Sequence, residues 1–278
     1  MSAVFAIAGD VLREAKSRRW FLGLWLGITL VLVLLALGLR MDVVDGALAA
    51  TRLFGKPLGG DIRSAQVALR PVFEAAAYLF FYGGLLFGIV ACSDFAPSLL
   101  SPGRIEHLLS LPIRRWELLG GTFLGVMCLS MAGSLYGATG LVVLLGIKTG
   151  AWTAGPLLAS VLAGLSFAPI YSMMLAAALV VRSAALSAAS GAAMMLLGIV
   201  SSYRTSLAPM IEPGLRRTSF EVALLAIPRV SQLAKLSASV AASRPVALRA
   251  AVLLSLGFCA FSLALLAAQA WYFERRDF

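Results

Sequence analysis

Six long apolar runs separated by charged connections dominate the chain, at Trp20 to Leu39, Ala75 to Cys92, Leu118 to Ile147, Leu157 to Val181, Ala184 to Tyr203 and Ala250 to Tyr272. Each is near or above the roughly 20 residues an α-helix needs to cross a hydrocarbon core. The pattern predicts an all-α, polytopic, six-span protein with a single membrane domain over residues 1–278. Within it, 1–19 precede the first span, 20–92 hold spans one and two, and 93–117 form a charged connection. Residues 118–203 hold spans three to five, 204–249 an external loop, and 250–278 the sixth span and tail. The third run is long for one crossing, which leaves open a tilt or a break near Gly133 or Gly137.

Composition supports this class: 60% of the 278 residues are hydrophobic and 13% charged, against about 25% charged in soluble domains. Arg13, Lys16, Arg18 and Arg19 precede the first run as in a secretion signal. That run is too long for a signal, and no small-residue cleavage site follows closely, so a retained helix is expected. The same cluster places the N-terminus in the cytoplasm under the positive-inside rule, and six crossings return Glu274, Arg275 and Arg276 there. Both termini are thus expected on the cytoplasmic side of the inner membrane. Arg204, Arg216, Arg217, Arg229, Lys235, Arg244 and Arg249 run against this, because they fall in the connection placed outside. The net charge of +10 is spread over both faces, which suits anionic lipid headgroups and not nucleic acid.

No catalytic or metal chemistry is expected. Cys92, Cys128 and Cys259 lie in or at the ends of spans and imply no disulfide framework. His107, the one histidine, has no partner at ligand spacing. The pairs Met173–Met174 and Met194–Met195 read as core filler. The span interiors carry no Asp, Glu, Lys or His of the kind a proton relay needs. No phosphate-binding Gly-Lys-Ser/Thr loop is present, so no cofactor is expected and any energy must come from another chain.

The connection Ser101 to Gly125, SPGRIEHLLSLPIRRWELLGGTFLG, is longer than a hairpin needs. Ile105, Leu108 and Leu109 share one helical face, with Arg104, His107 and Ser110 off it, and Pro112 ends the helix. Arg114, Arg115, Trp116 and Glu117 mark re-entry into the membrane, the indole suiting the interface. A second amphipathic stretch, Val4 to Lys16, puts Val4, Ile7, Val11 and Ala15 on one stripe and reads as a surface helix. A third is Phe220 to Val240, where Pro228 starts a helix carrying Val230, Leu233 and Leu236; it is assigned to the outer interface. No site is read in Met41 to Pro71. The pairs Gly23/Gly27, Gly84/Gly88, Gly121/Gly125 and Gly133/Gly137 permit close helix approach or a dimer seam.

At the 101–125 connection the chain resembles permease subunits of ABC-2 type ATP-binding-cassette transporters, in particular the branch linked to multicopper-enzyme maturation. The resemblance rests on Asp94, Gly103, Ile105, Glu106, Leu108, Leu109, Pro112, Arg115, Trp116, Glu117, Leu118, Leu119 and Gly121. Leu99, Leu100 and Ser101 replace the family's Glu-Arg-Glu, and Arg104 replaces its threonine. The resemblance implies that two six-span permeases pair above two separate ATPases, driving efflux or mechanical work. It implies that Gly103, Arg104, Ile105, Glu106, Leu108, Leu109, Pro112 and Arg115 form an ATPase-coupling helix, with Trp116 and Glu117 as interface anchors. It also makes residues 1–19 an elbow helix, which either shares the ATPase contact or only anchors at the interface. The alternative is a membrane assembly or structural protein with no ATPase partner.

Overall fold

A computed structural model describes residues 3–17, 19–44, 47–53, 56–57, 63–110, 112–150, 152–211 and 214–275. The chain opens with α1 (Ala3–Ser17) and α2 (Arg19–Gly38), which meet at 67°. A small antiparallel sheet follows, with β1 (Leu39–Val44), β2 (Ala47–Leu53), β3 (Lys56–Pro57) and β4 (Arg63–Ser64). In it β2 pairs with all three others, and its register with β1 runs from Leu39 opposite Leu53 to Val44 opposite Ala47. These strands lie largely within the Met41 to Pro71 connection, in which the sequence shows no site.

The remaining elements are helices. They are α3 (Ala65–Cys92), α4 (Phe95–Leu99), α5 (Arg104–Ser110), α6 (Arg115–Thr149), α7 (Gly155–Val181) and α8 (Ala184–Ser202). Then come α9 (Arg204–Leu207), α10 (Leu215–Leu225), α11 (Val230–Ala241) and α12 (Leu248–Glu274). Among the described residues α3, α6, α7, α8 and α12 are long and apolar enough to cross a membrane, and the bent pair α1–α2 is the sixth candidate. The protein is therefore a helical, membrane-embedded bundle.

The third apolar run is one unbroken helix. At 1.5 Å per residue, the 35 residues of α6 extend about 52 Å, and Gly133 and Gly137 lie within it as seats for α2 side chains. A Cβ on Gly133 would meet Leu24 Cδ2 at 3.0 Å, and one on Gly137 would meet Ile28 Cγ2 at 3.5 Å. The helix stops at Gly150, whose φ of 71° is a left-handed cap. Between α7 and α8 the turn is as short as the sequence suggests: Arg182 takes a left-handed φ of 54°. The Ser183 hydroxyl then accepts the Leu186 N–H at 3.5 Å, capping α8.

α7 is the central helix, with Phe167, Ile170, Tyr171, Met174 and Leu175 all buried; the residues it leaves exposed, Leu158, Val161, Met173, Val180 and Val181, are apolar, as on a helix that meets lipid. Around it Phe81, Leu85 and Ile89 of α3, Met194 and Met195 of α8 and Phe258 of α12 complete the main core. Gln269 is buried and donates Nε2 to the Ser172 carbonyl at 2.8 Å, tying α12 to α7.

The third amphipathic stretch is the main correction. Its helix starts two residues after Pro228, as expected, but α11 is not an outer cap: it is inserted among α3, α7 and α8. Val230, Leu233 and Ala234 belong to the main core, and Ala241 and Ala242 pack with Leu69 and Phe73 of α3. Small side chains make this possible. A Cβ on Gly155 would lie 2.6 Å from the Val240 carbonyl, and one on Gly198 would lie 2.3 Å from Val230 Cγ2. Polar groups tie α11 to its neighbours: Ser237 donates to the Ala159 carbonyl at 3.1 Å, Tyr82 to the Ser231 hydroxyl at 3.2 Å, and the Ser231 N–H to Ser202 at 2.9 Å. The chain leaves the core after α11 at Arg244, whose Nε pairs with Glu74 Oε1 at 2.6 Å.

Candidate functional site

The 101–125 connection sits at one end of the bundle, where α1, α4, α5, the start of α6 and the ends of α7 and α12 converge. Gly103 turns the chain into α5 with a φ of 81°, a conformation that costs other residues strain. Ile105 is buried and Leu108 half-buried, both against a cluster formed by Leu99, Leu118, Leu119, Leu175, Leu179 and Phe273. The apolar face of α5 is thus turned onto the protein's own bundle. Pro102, Gly103, Glu106, Ser110, Pro112 and Arg114 are exposed and form the outward surface. Leu111 and the side chains of His107 and Leu109 lie outside the described residues.

Arg104 anchors this helix. Its Nη2 lies 2.9 Å from Glu14 Oε2 and 3.6 Å from Asp10 Oδ2, both on α1. Ser98 on α4 donates to the other Glu14 oxygen at 3.4 Å. Glu14 is mostly enclosed, its side chain 19% exposed against 33% for Arg104, so the bond is worth more than a surface ion pair. Asp10 and Glu14, four residues apart, therefore share the face of α1 that meets α5. Neither residue is singled out by the sequence alone; an i,i+4 acidic pair in an otherwise basic N-terminal helix is the available signal.

α1 is seated in turn on α6 by two glycines. A Cβ on Gly121 would stand 2.7 Å from Ile7 Cβ and 2.9 Å from the Val4 carbonyl. One on Gly125 would stand 2.8 Å from Val11 Cβ and 3.0 Å from the Ala8 carbonyl. Because backbone as well as side chain blocks the space, Gly125→Ala forces α1 outward and is expected to cost about 1–3 kcal/mol. Hydrogen exchange should show the rise in amide exchange confined to α1 and α5; unchanged protection of α1 would refute this seating.

Arg115 serves the other neighbour. Its Nη1 donates to the Phe273 carbonyl at 2.9 Å and the Glu274 carbonyl at 3.3 Å, and the guanidinium lies 5.8 Å from the Phe273 ring centre. It satisfies carbonyls that the end of α12 would otherwise leave open. Arg115→Gln should lose about 1 kcal/mol, read as faster exchange over 270–275 with the rest of α12 unchanged. Glu117 caps α6, its Oε2 accepting the Arg114 N–H at 2.9 Å. Trp116 points outward, 43% exposed.

The structure thus brings Arg104, Ile105, Leu108, Arg115 and Glu117 into one packed joint, leaves Gly103, Glu106 and Pro112 on the outside, and adds Asp10, Glu14 and Ser98. It contains no group of three or more potential metal ligands among the described residues. No protein-family model matches the chain, and no curated protein matches it.

Proposed function

We propose that the chain is the membrane-spanning permease of an ABC-2 type exporter, working as a pair with a separate ATP-hydrolysing subunit docked at the α5 end. The observation that carries this reading is the construction of the joint at α5. A seven-residue helix with an exposed polar face is bonded through Arg104 to α1, packed through Ile105 and Leu108 on the core, and followed at once by α6, whose Arg115 holds α12. A push on α5 is therefore delivered to three other elements, which is what coupling to an external motor requires. Glu106, Ser110, Pro112 and Arg114 are the residues a docked subunit would meet, and this end of the bundle is the cytoplasmic one.

The transported material is expected to be apolar or lipid-like. An open cleft of about 350 Å³ lies between α2 and α3, floored by α6 and α7 and lined by Leu79, Phe80, Phe87 and Gly84 among others. A Cβ on Gly23, Gly27 or Gly84 would meet nothing within 4 Å, so these glycines border open space in the cleft and do not seat a neighbouring helix of this chain.

Purification of the tagged chain in mild detergent from its native membrane, with mass spectrometry of its partners and a hydrolysis assay, tests the proposal. Recovery of an ATP-binding-cassette subunit with vanadate-sensitive ATP hydrolysis is the expected result. Recovery of the intact chain without such a subunit would favour a membrane assembly or structural role.

A further inference from the structure

The end of the bundle opposite α5 carries a feature the coupling joint does not use. Between α11 and α12 runs an open groove of about 730 Å³, within the roughly 300–1,000 Å³ typical of ligand sites. Its walls include Ile227, Leu236, Leu253, Leu254 and Phe258, and its α11 rim carries Arg229, Gln232 and Lys235. Arg204 stands close to Arg229: burial chiefly, and the Arg204 charge in addition, hold the Arg229 guanidinium below its ordinary range.

These cations are not neutralised. Among the described residues none of the three is in an ion pair with a carboxylate. Arg229 Nη1 donates to Gln232 Oε1 at 3.3 Å, Lys235 rests 5.1 Å from the Tyr203 ring centre, and Arg204 Nη1 is enclosed with no acceptor. Adjacent like charges drawn partly out of water, one with an unsatisfied buried donor, are unfavourable unless an anion joins them. Apolar walls running on from the basic rim require that the anion carry hydrocarbon. Basic pockets between membrane helices bind anionic headgroups for the same reasons.

We infer that the α11–α12 groove is a binding site for an anionic phospholipid, its phosphate held by Arg204, Arg229 and Lys235 and an acyl chain lying along Leu236, Leu253, Leu254 and Phe258. The lipid fills the side of α11 that faces neither α3 nor α7, and so completes the packing of the inserted helix.

Native mass spectrometry of the full chain released from nanodiscs of phosphatidylcholine and phosphatidylglycerol tests this without any ATPase, so its failure leaves the coupling proposal untouched. Wild type should retain phosphatidylglycerol preferentially. Each neutralised cation should weaken retention roughly fivefold, and Arg204→Gln, Arg229→Gln and Lys235→Gln together on the order of a hundredfold. Leu254→Trp, which fills the groove and keeps every charge, should also abolish the preference. Equal retention of both lipids by wild type would overturn the inference, as would a preference that survives the triple variant. Loss in the triple variant with full retention by Leu254→Trp would reduce the site to surface attraction. Conversion of a dimer to a monomer by Leu254→Trp, with lipid preference unchanged, would make the groove a seam between copies. Circular dichroism and elution volume verify folding; should the triple variant fail to fold, the exposed Lys235→Gln alone carries the charge arm.

Discussion

Leu233→Asp is expected to leave no folded protein, although the residue belongs to a helix of only twelve residues in a connection between spans. Leu233 is 0% exposed and its neighbour in the core, Val230, is likewise 0% exposed. An ionised carboxylate there would sit in the apolar core cluster that also holds Phe81, Phe167 and Phe258, which contains no cation. Burying an unpaired charge costs several kcal/mol even after partial relaxation, or neutralises the group at similar expense. That is comparable to the roughly 5–15 kcal/mol by which folded domains are stable. Lys235→Gln, exposed on the same helix, should change stability by no more than about 0.5 kcal/mol. The comparison is made by size exclusion and circular dichroism in mild detergent. A monodisperse, helical Leu233→Asp protein would mean that α11 lies on the bundle and not in it.

The same helix shows where the sequence stops being informative. A bilayer imposes a length on every crossing helix, so the six apolar runs announce themselves, and the ends of α2 and α8 fall within one residue of the runs that signal them. α11 spans only about 18 Å at 1.5 Å per residue, too short to register as a crossing. One apolar stripe over twelve residues fits a helix on the surface as well as one in the core. What decides is the flank of that stripe, where Ser231, Ala234, Ser237 and Ala238 are buried and small enough to let neighbouring helices close around it, and small residues carry little signal of their own. The α5 joint divides in the same way. Its helix, proline stop and re-entry were legible because they are local. The role of Arg104 was not, because Glu14 lies 90 positions away; in the sequence this arginine reads as a departure from a familiar motif, whereas in the fold it is the bond that fixes α5 to α1. The glycine pairs looked alike, yet Gly121 and Gly125 seat a helix while Gly23 and Gly27 border empty space, a distinction only the packing makes.

Arg104→Glu is expected to detach α5 from α1 and destabilise the joint by about 3 kcal/mol, between the roughly 1.5–3 kcal/mol of a hydrogen bond to a charged group and the roughly 3–5 kcal/mol lost when a fully buried pair is broken. The substitution removes the 2.9 Å bond to Glu14 and leaves three carboxylates, Asp10, Glu14 and residue 104, within a few ångströms of one another. Glu14 cannot simply turn to water, because it is mostly enclosed and also accepts from Ser98. Ile105 and Leu108 would lose their register on the core cluster, and α5, held at its start by Gly103 and at its end by Pro112, would swing as a loop. Hydrogen exchange should rise across 104–110 and across α1 while α7 keeps its protection. Restoring the opposite charges in the reverse order, Arg104→Glu with Glu14→Arg, should recover part of that protection. A double-mutant cycle over the two sites then measures the coupling free of the single-variant artefacts. In the proposed transporter the single variant should hydrolyse ATP without moving substrate, since the motor would push on a helix no longer bonded to α1, and the double variant should regain transport. Full protection of 104–110 in Arg104→Glu would show that Ile105 and Leu108 alone hold α5, and that the ion pair is incidental to the joint.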